Sequence, residues 1–415
     1  MTQGTQAIWG WWHEAPAPAR RALIAASLGW MLDAFDVMLY AMVLTALMAD
    51  LDISLRTAGW LGSATLIAAA VGGVVFGVLA DRFGRTRALM ASVLLYSVFT
   101  AACGFAQTVP QLALFRICLG LGMGGEWACG AALVSETWPA EHRGKALGLV
   151  QSSWAIGYAL AAIVTFIVMP LGGWRAVFFV GVLPALFTLW IRRHVEEPAL
   201  WQRTRTRVTR PFGGLDEILR RPLLPLTLAV TAMNACTMFA WWGLNLWIPS
   251  YLALPLAQGG VGLDRALTSA LVVAMQVGMW FGYVTFGFVS DAVGRRRTYV
   301  CYLLAAAALV YLYGMTREPL ALLLLGPLVA FFGTGYFSGF GAVTAEIYRT
   351  EIRATAQGVT YNAGRLASAL APFVVGSLAQ TRGFGAAFST ASVAFLLAAV
   401  LWIWIPETRG RALED

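Results

Sequence analysis

Long apolar runs recur along this chain, separated by short polar stretches. Each is close to the ~20 residues an α-helix needs to cross a bilayer. Twelve such helices are predicted, near 22–48, 58–80, 88–106, 110–134, 146–169, 174–191, 223–252, 266–289, 298–316, 319–344, 356–380 and 386–405. The pattern predicts an all-α integral membrane protein. Composition excludes the alternative of a soluble helical protein with a very apolar core. With 59% hydrophobic and 12% charged residues, against roughly 25% charged in an ordinary soluble domain, too little polar surface remains to cover such a core.

The chain repeats itself at an offset of 210 positions. Gly77-Val78-Leu79-Ala80-Asp81-Arg82-Phe83-Gly84-Arg85-Thr86-Arg87 returns as Gly287-Phe288-Val289-Ser290-Asp291-Ala292-Val293-Gly294-Arg295-Arg296-Arg297. The same offset pairs Glu136 with Glu346, Arg143 with Arg353, Ala146 with Ala356, Gly148 with Gly358, Gly173 with Gly383 and Phe178 with Phe388. A fixed offset over that span means a duplicated half. The predicted organisation is a six-helix bundle over 1–191, a linker over 192–222 and a second bundle over 223–415, pseudo-symmetric twelve-helix architecture overall. Halves related by an axis along the membrane normal point to a transporter that binds its substrate near mid-membrane. Gly73, Gly77, Gly278, Gly282 and the run Gly120, Gly122, Gly124, Gly125 are expected where helices approach closely.

Charge gives the orientation. Of 29 Lys and Arg, Arg116 and Arg365 fall within helices and five (Arg56, Arg175, Arg265, Arg317, Arg382) fall in loops on one side, leaving 22 on the other with both chain ends. The positive-inside rule makes that basic-rich side cytoplasmic, so the net charge of +8 reports topology and requires no nucleic acid. The linker, with eight Arg interspersed with acids, is expected on anionic headgroups. The first apolar run is too long for a cleaved signal peptide. The five Cys sit in predicted helices without metal-ligand spacing, and no nucleophile–base set appears, so neither an enzyme nor a metal or cofactor is expected.

Subtracting the repeat leaves five intramembrane charges: Asp33, Asp36, Arg116, Glu126 and Arg365, opposite Gly243, Leu246, Gly326, Tyr336 and Ala155. An Asp or Arg at a helix centre costs roughly 2.5–3.5 kcal/mol on insertion scales, so each is a functional candidate. Asp33 and Asp36 share a helical face, and neighbouring carboxylates resist double ionisation, as a proton carrier must. Glu126 is a further candidate carrier, and the alternative for all three is pairing with an Arg. His13, His142 and His194 lie outside the predicted helices, leaving the proton to carboxylates. Arg365, with Tyr361 and Asn362 four and three residues before it, and Arg116 are candidate anion hooks. Asn245, Trp241, Trp242 and Trp247 on the seventh helix, Gln151, Trp154 and Tyr158 on the fifth, and Gln276, Tyr336 and Phe337 suit the wall of a small-anion pocket; many of the 17 Trp are interfacial anchors instead.

The doubled loop segment, the run Arg116-Ile117-Cys118-Leu119-Gly120-Leu121-Gly122-Met123-Gly124 and the ending Pro406-Glu407-Thr408-Arg409-Gly410-Arg411 resemble motifs of the major facilitator superfamily over nearly the entire chain. Gly29-Trp30-Met31-Leu32-Asp33-Ala34-Phe35-Asp36 resembles the first helix of proton-coupled carboxylate importers. Gly122-Met123-Gly124-Gly125-Glu126-Trp127, with Ser135-Glu136-Thr137-Trp138-Pro139, is similar to the sialic-acid and lactate:proton symporters, with the aromatic-acid:proton symporters as near relatives. The fifth helix, Gln151-Ser152-Ser153-Trp154-Ala155-Ile156-Gly157-Tyr158, lacks the Gly-Pro of drug exporters. The resemblance implies a conformational latch formed by Asp81, Arg85, Glu136, Arg143, Asp291, Arg295, Glu346 and Arg353. The resulting expectation is a monomeric inner-membrane symporter, both termini cytoplasmic, importing a small monocarboxylate or sugar acid with protons. An aromatic-acid symporter, a sugar transporter, a drug exporter and a non-transporting sensor are the alternatives.

Overall fold

A computed structural model describes residues 12, 14–198, 202 and 215–409; the side chains of residues 81, 128, 140, 141, 143, 215, 216, 350, 351 and 353–355 lie outside that description. The described chain is helical throughout. Its elements are α1 (Ala17–Leu51), α2 (Leu55–Phe83), α3 (Arg85–Cys103), α4 (Val109–Thr137), α5 (Ala140–Val180), α6 (Leu183–His194), α7 (Leu215–Ile218), α8 (Leu223–Asn245), α9 (Ile248–Ala253), a 3-10 turn (Leu256–Gln258), α10 (Arg265–Val293), α11 (Arg295–Met315), α12 (Pro319–Thr334), α13 (Phe337–Ile347), α14 (Thr350–Ser368) and α15 (Ala371–Leu401).

Ten stretches are long and apolar enough to span a membrane. Two of them, 51 and 46 residues long, are each about twice the crossing length. Each is interrupted where glycine takes a non-helical conformation, at Gly172 and Gly173 in α5 and at Gly383 in α15. Counting both arms gives the twelve crossings that the hydropathy predicts. Much of the expected linker, including 203–214, lies outside the described residues, as does His13. His142 and His194, expected in loops, fall within α5 and α6, because those helices run past their apolar stretches.

The duplication is visible in the backbone itself. Positive φ occurs at Asp52, Gly84 and Gly173 (49°, 116° and 67°) and again 210 positions on at Gly262, Gly294 and Gly383 (81°, 112° and 80°). Ser54 and Asp264, also 210 apart, both cap a helix, accepting from Thr57 N at 3.2 Å and Leu267 N at 2.8 Å. Helix packing follows the same correspondence. α2 packs on α4 as α10 packs on α12, α1 on α5 as α8 on α14 and α15, and α3 on α6 as α11 on α15.

Small residues permit this packing. A Cβ added at Gly120, Gly122, Gly124, Gly125, Gly278 or Gly282 would collide with a neighbouring helix, whereas one at Gly77 would meet nothing within 4 Å. Gly77 is therefore not a close-packing residue in this conformation. Gly124→Val is expected to lower the melting temperature sharply or abolish monodisperse protein, since α2 would have to move off α4 against tight packing. Gly77→Ala should melt as the parent does.

The halves meet unequally. On the basic-poor side, Gly59 and Gly62 lie against Pro372, Gly376 lies against Leu55, Ser63 Oγ accepts from Phe373 N at 3.1 Å, and Gln380 Oε1 accepts from Arg56 N at 3.1 Å. Toward the basic-rich side, Gly77, Gly148, Gly287, Gly341 and Gly358 have no neighbour within 4 Å of a built Cβ. The bundles thus touch where the basic-poor end of α2 meets α15.

Candidate functional site

In the second half three crossings bend at a two-residue turn whose backbone stays in the right-handed helical region: α8 gives way to α9 at Leu246–Trp247, α12 to α13 at Gly335–Tyr336, and α14 to α15 at Ala369–Leu370. Pro249 and Pro372 sit in the first turn of the resumed helices, where the missing N–H is harmless.

Beside these bends lies a small cavity of about 40 Å³ between the halves. Its wall is formed by Trp30, Met123, Gln151 and Trp154 from the first half and by Met238, Trp241, Trp242, Tyr283, Phe337, Tyr361 and Arg365 from the second. The rings form a continuous array: Trp30 and Trp154 centroids are 4.8 Å apart, Trp154 and Trp241 5.4 Å, and Trp241 and Trp242 4.7 Å. Arg365, 5% exposed, supplies the only charge on the wall among the described residues. A second, wider space of about 550 Å³ lies between α1 and α5 of the first half and α9 and α10 of the second, lined by Met42, Thr45, Thr165, Gln258 and Arg265 among others.

Of the predicted substrate contacts, Arg365, Tyr361, Gln151, Trp154, Trp241, Trp242 and Phe337 reach the small cavity, and Arg116, Asn245, Asn362, Tyr336, Trp247, Tyr158 and Gln276 do not. Arg116 is 1% exposed and lies flat on Tyr40, its guanidinium 3.6 Å from the ring centroid, with Nε and Nη1 lacking hydrogen-bond partners. It occupies the basic-poor part of the first half, away from the cavity wall. Asn245 turns its amide back to Trp241 O at 3.0 Å. Tyr336 is buried with its hydroxyl donating to Thr237 O at 3.4 Å. Asn362 is exposed and donates to Gly358 O at 2.9 Å, because one residue of α14 separates a face turned to the cavity from a face turned to α2. Trp30, Met123, Met238 and Tyr283, which line the wall, were not singled out from the sequence.

Asp33, Asp36 and Glu126 are each 1% exposed and lie behind that wall. Asp33 follows Trp30 by one helical turn, and Glu126 follows Met123 likewise. The Glu126 carboxylate fills the space left by the missing side chain of Gly29. Thr100 Oγ1 donates to Asp36 Oδ2 at 3.0 Å. Asp36 Oδ1, Asp33 Oδ2 and both Glu126 oxygens have no hydrogen-bond partner among the described residues. Asp33 lies within the fields of Arg365, Asp36 and Glu126, yet no ion pair closes onto any of the three acids among the described residues. Charges so enclosed cost several kcal/mol each unless neutralised.

The doubled loops form matching clusters at the basic-rich ends. Arg85 pairs with Glu136 at 2.9 Å, Arg295 pairs with Glu346 at 2.9 Å, and Arg295 also contacts Asp291. The side chains of Asp81, Arg143 and Arg353 lie outside the described residues. Each cluster has a member that sequence reading missed. Glu197 accepts from Thr86 N and Arg87 N at 3.1 and 3.2 Å, and Glu407 accepts from Arg295 N and Arg296 N at 2.9 and 3.1 Å. These residues are themselves 210 apart, so the offset alone would have found them. Each places a carboxylate at the N-terminus of α3 or α11, where the helix dipole favours it. Enclosure acts against the Glu407 charge, but the backbone N–H groups of Arg409, Arg295, Arg296 and Thr408 hold its carboxyl below the usual carboxylate range.

The sequence profile of the Major Facilitator Superfamily matches residues 26–254 and 250–415. The chain is 34% identical over 414 residues to a probable 4-methylmuconolactone transporter of Cupriavidus pinatubonensis, covering 97% of this chain and 94% of that one. It is 31% identical to a putative niacin/nicotinamide transporter of Bacillus subtilis, covering 97% and 99%. It is 30% identical to a sialic acid transporter of Escherichia coli, covering 95% of each. The fold is similar to that of the E. coli xylose transporter in a partially occluded inward open conformation, with TM-score 0.77, 20% identity, and 96% and 100% of the two chains covered.

Proposed function

This chain belongs to the Major Facilitator Superfamily, and from that premise we propose that it imports a small planar carboxylate, aromatic or conjugated, by proton symport through alternating access. It is a multi-pass membrane transporter and not an enzyme. The observation that carries the substrate reading is Arg365, one guanidinium in a wall where seven of eleven residues are aromatic. A guanidinium grips a carboxylate through two parallel hydrogen bonds, and stacked rings favour a flat body beside it. Niacin and sialic acid, for which two relatives are named, are both carboxylic acids. The ring-lined wall favours the flat one over the hydroxyl-rich one.

In this reading the basic-rich side is cytoplasmic, the protein sits in the inner membrane as a monomer, and the bundles 1–191 and 223–415 rock about the cavity. A proton enters the Asp33, Asp36 and Glu126 cluster from the basic-poor side. A neutral Asp33 no longer competes for Arg365, and the acid takes its place on the guanidinium. The loaded halves then close behind the acid and part toward the cytoplasm. The paired clusters of Arg85 with Glu136 and Arg295 with Glu346, together with Asp81, Arg143, Asp291 and Arg353, set the rate of that motion and not the choice of substrate.

One proton with one monoanion moves no net charge, so the pH gradient alone drives uptake. A second proton adds about 2.3 kcal/mol per 100 mV. Uptake of isotope-labelled acid into proteoliposomes, with pH gradient and voltage imposed separately, distinguishes the two. Accumulation is expected under an inward proton gradient, and uptake indifferent to both gradients removes symport.

A further inference from the structure

Several side chains of the cavity wall carry a donor besides the single guanidinium. Trp30, Trp154 and Trp241 are 5%, 2% and 5% exposed, and the indole Nε1 of each is buried with no acceptor among the described residues. An indole nitrogen only donates, and a buried donor left unsatisfied is costly. The three rings adjoin one another, with centroids 4.8 Å apart for Trp30 and Trp154 and 5.4 Å apart for Trp154 and Trp241. Ring faces accept N–H groups only weakly, so the T-shaped contact of Trp154 with Trp241 does not replace a true acceptor.

We propose that this cavity selects acids that carry a second hydrogen-bond acceptor on the ring or chain away from the carboxylate, and that the indole N–H groups of Trp30, Trp154 and Trp241 read it. The inference rests on Arg365 as the carboxylate anchor. With the carboxylate held there, the rest of a flat acid meets the wall that the three indoles help to form. An acid whose far edge is only C–H leaves those donors facing hydrocarbon and displaces any water they had held. Sites built to hydrogen-bond a ligand group reject analogues lacking it far more strongly than sites that sense size alone.

Benzoate and the three pyridine monocarboxylates have nearly the same shape and the same carboxylate, and differ in one ring acceptor whose position varies. Binding of these four acids to the purified full-length protein, by titration calorimetry, tests the inference. At least one pyridine carboxylate is expected to bind about tenfold or more tighter than benzoate. That ratio is expected to fall toward one in Trp30→Phe, Trp154→Phe or Trp241→Phe, each of which keeps a ring and removes the donor. The ratio is the readout, and three positions supply independent variants. Benzoate binding as tightly as all three pyridine acids overturns the inference while leaving the carboxylate reading intact, as does a ratio unmoved in every variant. Binding of none of the four acids overturns both.

Discussion

Arg365→Ala is expected to weaken binding of the transported acid by about a hundredfold or more. Hydrogen bonds to charged groups contribute about 1.5–3 kcal/mol each, a bidentate pair makes two of them, and about 1.4 kcal/mol corresponds to a factor of ten. No other charge on the cavity wall stands ready to compensate among the described residues. Arg365→Lys should recover part of the loss, since it keeps the charge but not the planar fork. Calorimetry with an acid that binds the parent protein measures both variants, and the melting temperature without ligand checks that they are folded. An Arg365→Ala affinity within twofold of the parent would remove this residue from the substrate site. A different result is expected if Arg365 serves mainly as the counter-charge of Asp33: affinity would then survive while the dependence of uptake on the proton gradient changed.

The architecture was legible because membrane insertion and gene duplication both leave periodic marks. Crossing length fixes the apolar runs, and the 210-residue offset reappears in backbone conformation at Gly84 and Gly294 and at Gly173 and Gly383. Charge subtraction found Arg365 and the buried acids because a mid-membrane charge is costly wherever it points. It did not separate Arg365 from Arg116. That difference lies in which neighbouring helix closes over each, and Tyr40, which covers Arg116, carries no signal in sequence beyond being aromatic. The cavity wall was legible only in part for the same reason. Helical spacing groups Tyr361 with Arg365 but gives Asn362 nearly the same claim, and the packing of α2 against α14 decides between them. Trp30 lies one turn before Asp33, and Tyr283 two turns after Gln276, so the helical spacing that groups Tyr361 with Arg365 reaches both. The bends after Asn245 and Thr334 fall inside apolar runs, where hydropathy predicts a single long helix.

Asp33→Asn combined with Asp36→Asn is expected to leave exchange of acid across the membrane while abolishing its uphill accumulation. With one proton per acid, a pH difference of one unit supports about tenfold accumulation, since one unit corresponds to about 1.36 kcal/mol. The double variant should hold the internal concentration level with the external one under the same gradient. Asparagine nearly preserves the volume at both positions and can still accept from Thr100, whose hydroxyl now bonds Asp36 at 3.0 Å, so loss of coupling need not mean loss of fold. The single variants separate the roles. Asp33 lies in the field of Arg365, and if it is the group whose protonation frees that guanidinium, Asp33→Asn alone should make exchange independent of pH. Asp36, bonded to Thr100 and more remote from the cavity, should then contribute less. Persistent gradient-driven accumulation in the double variant would move the proton to Glu126, the remaining buried acid of the cluster, and Glu126→Gln in that background would then be required to stop it.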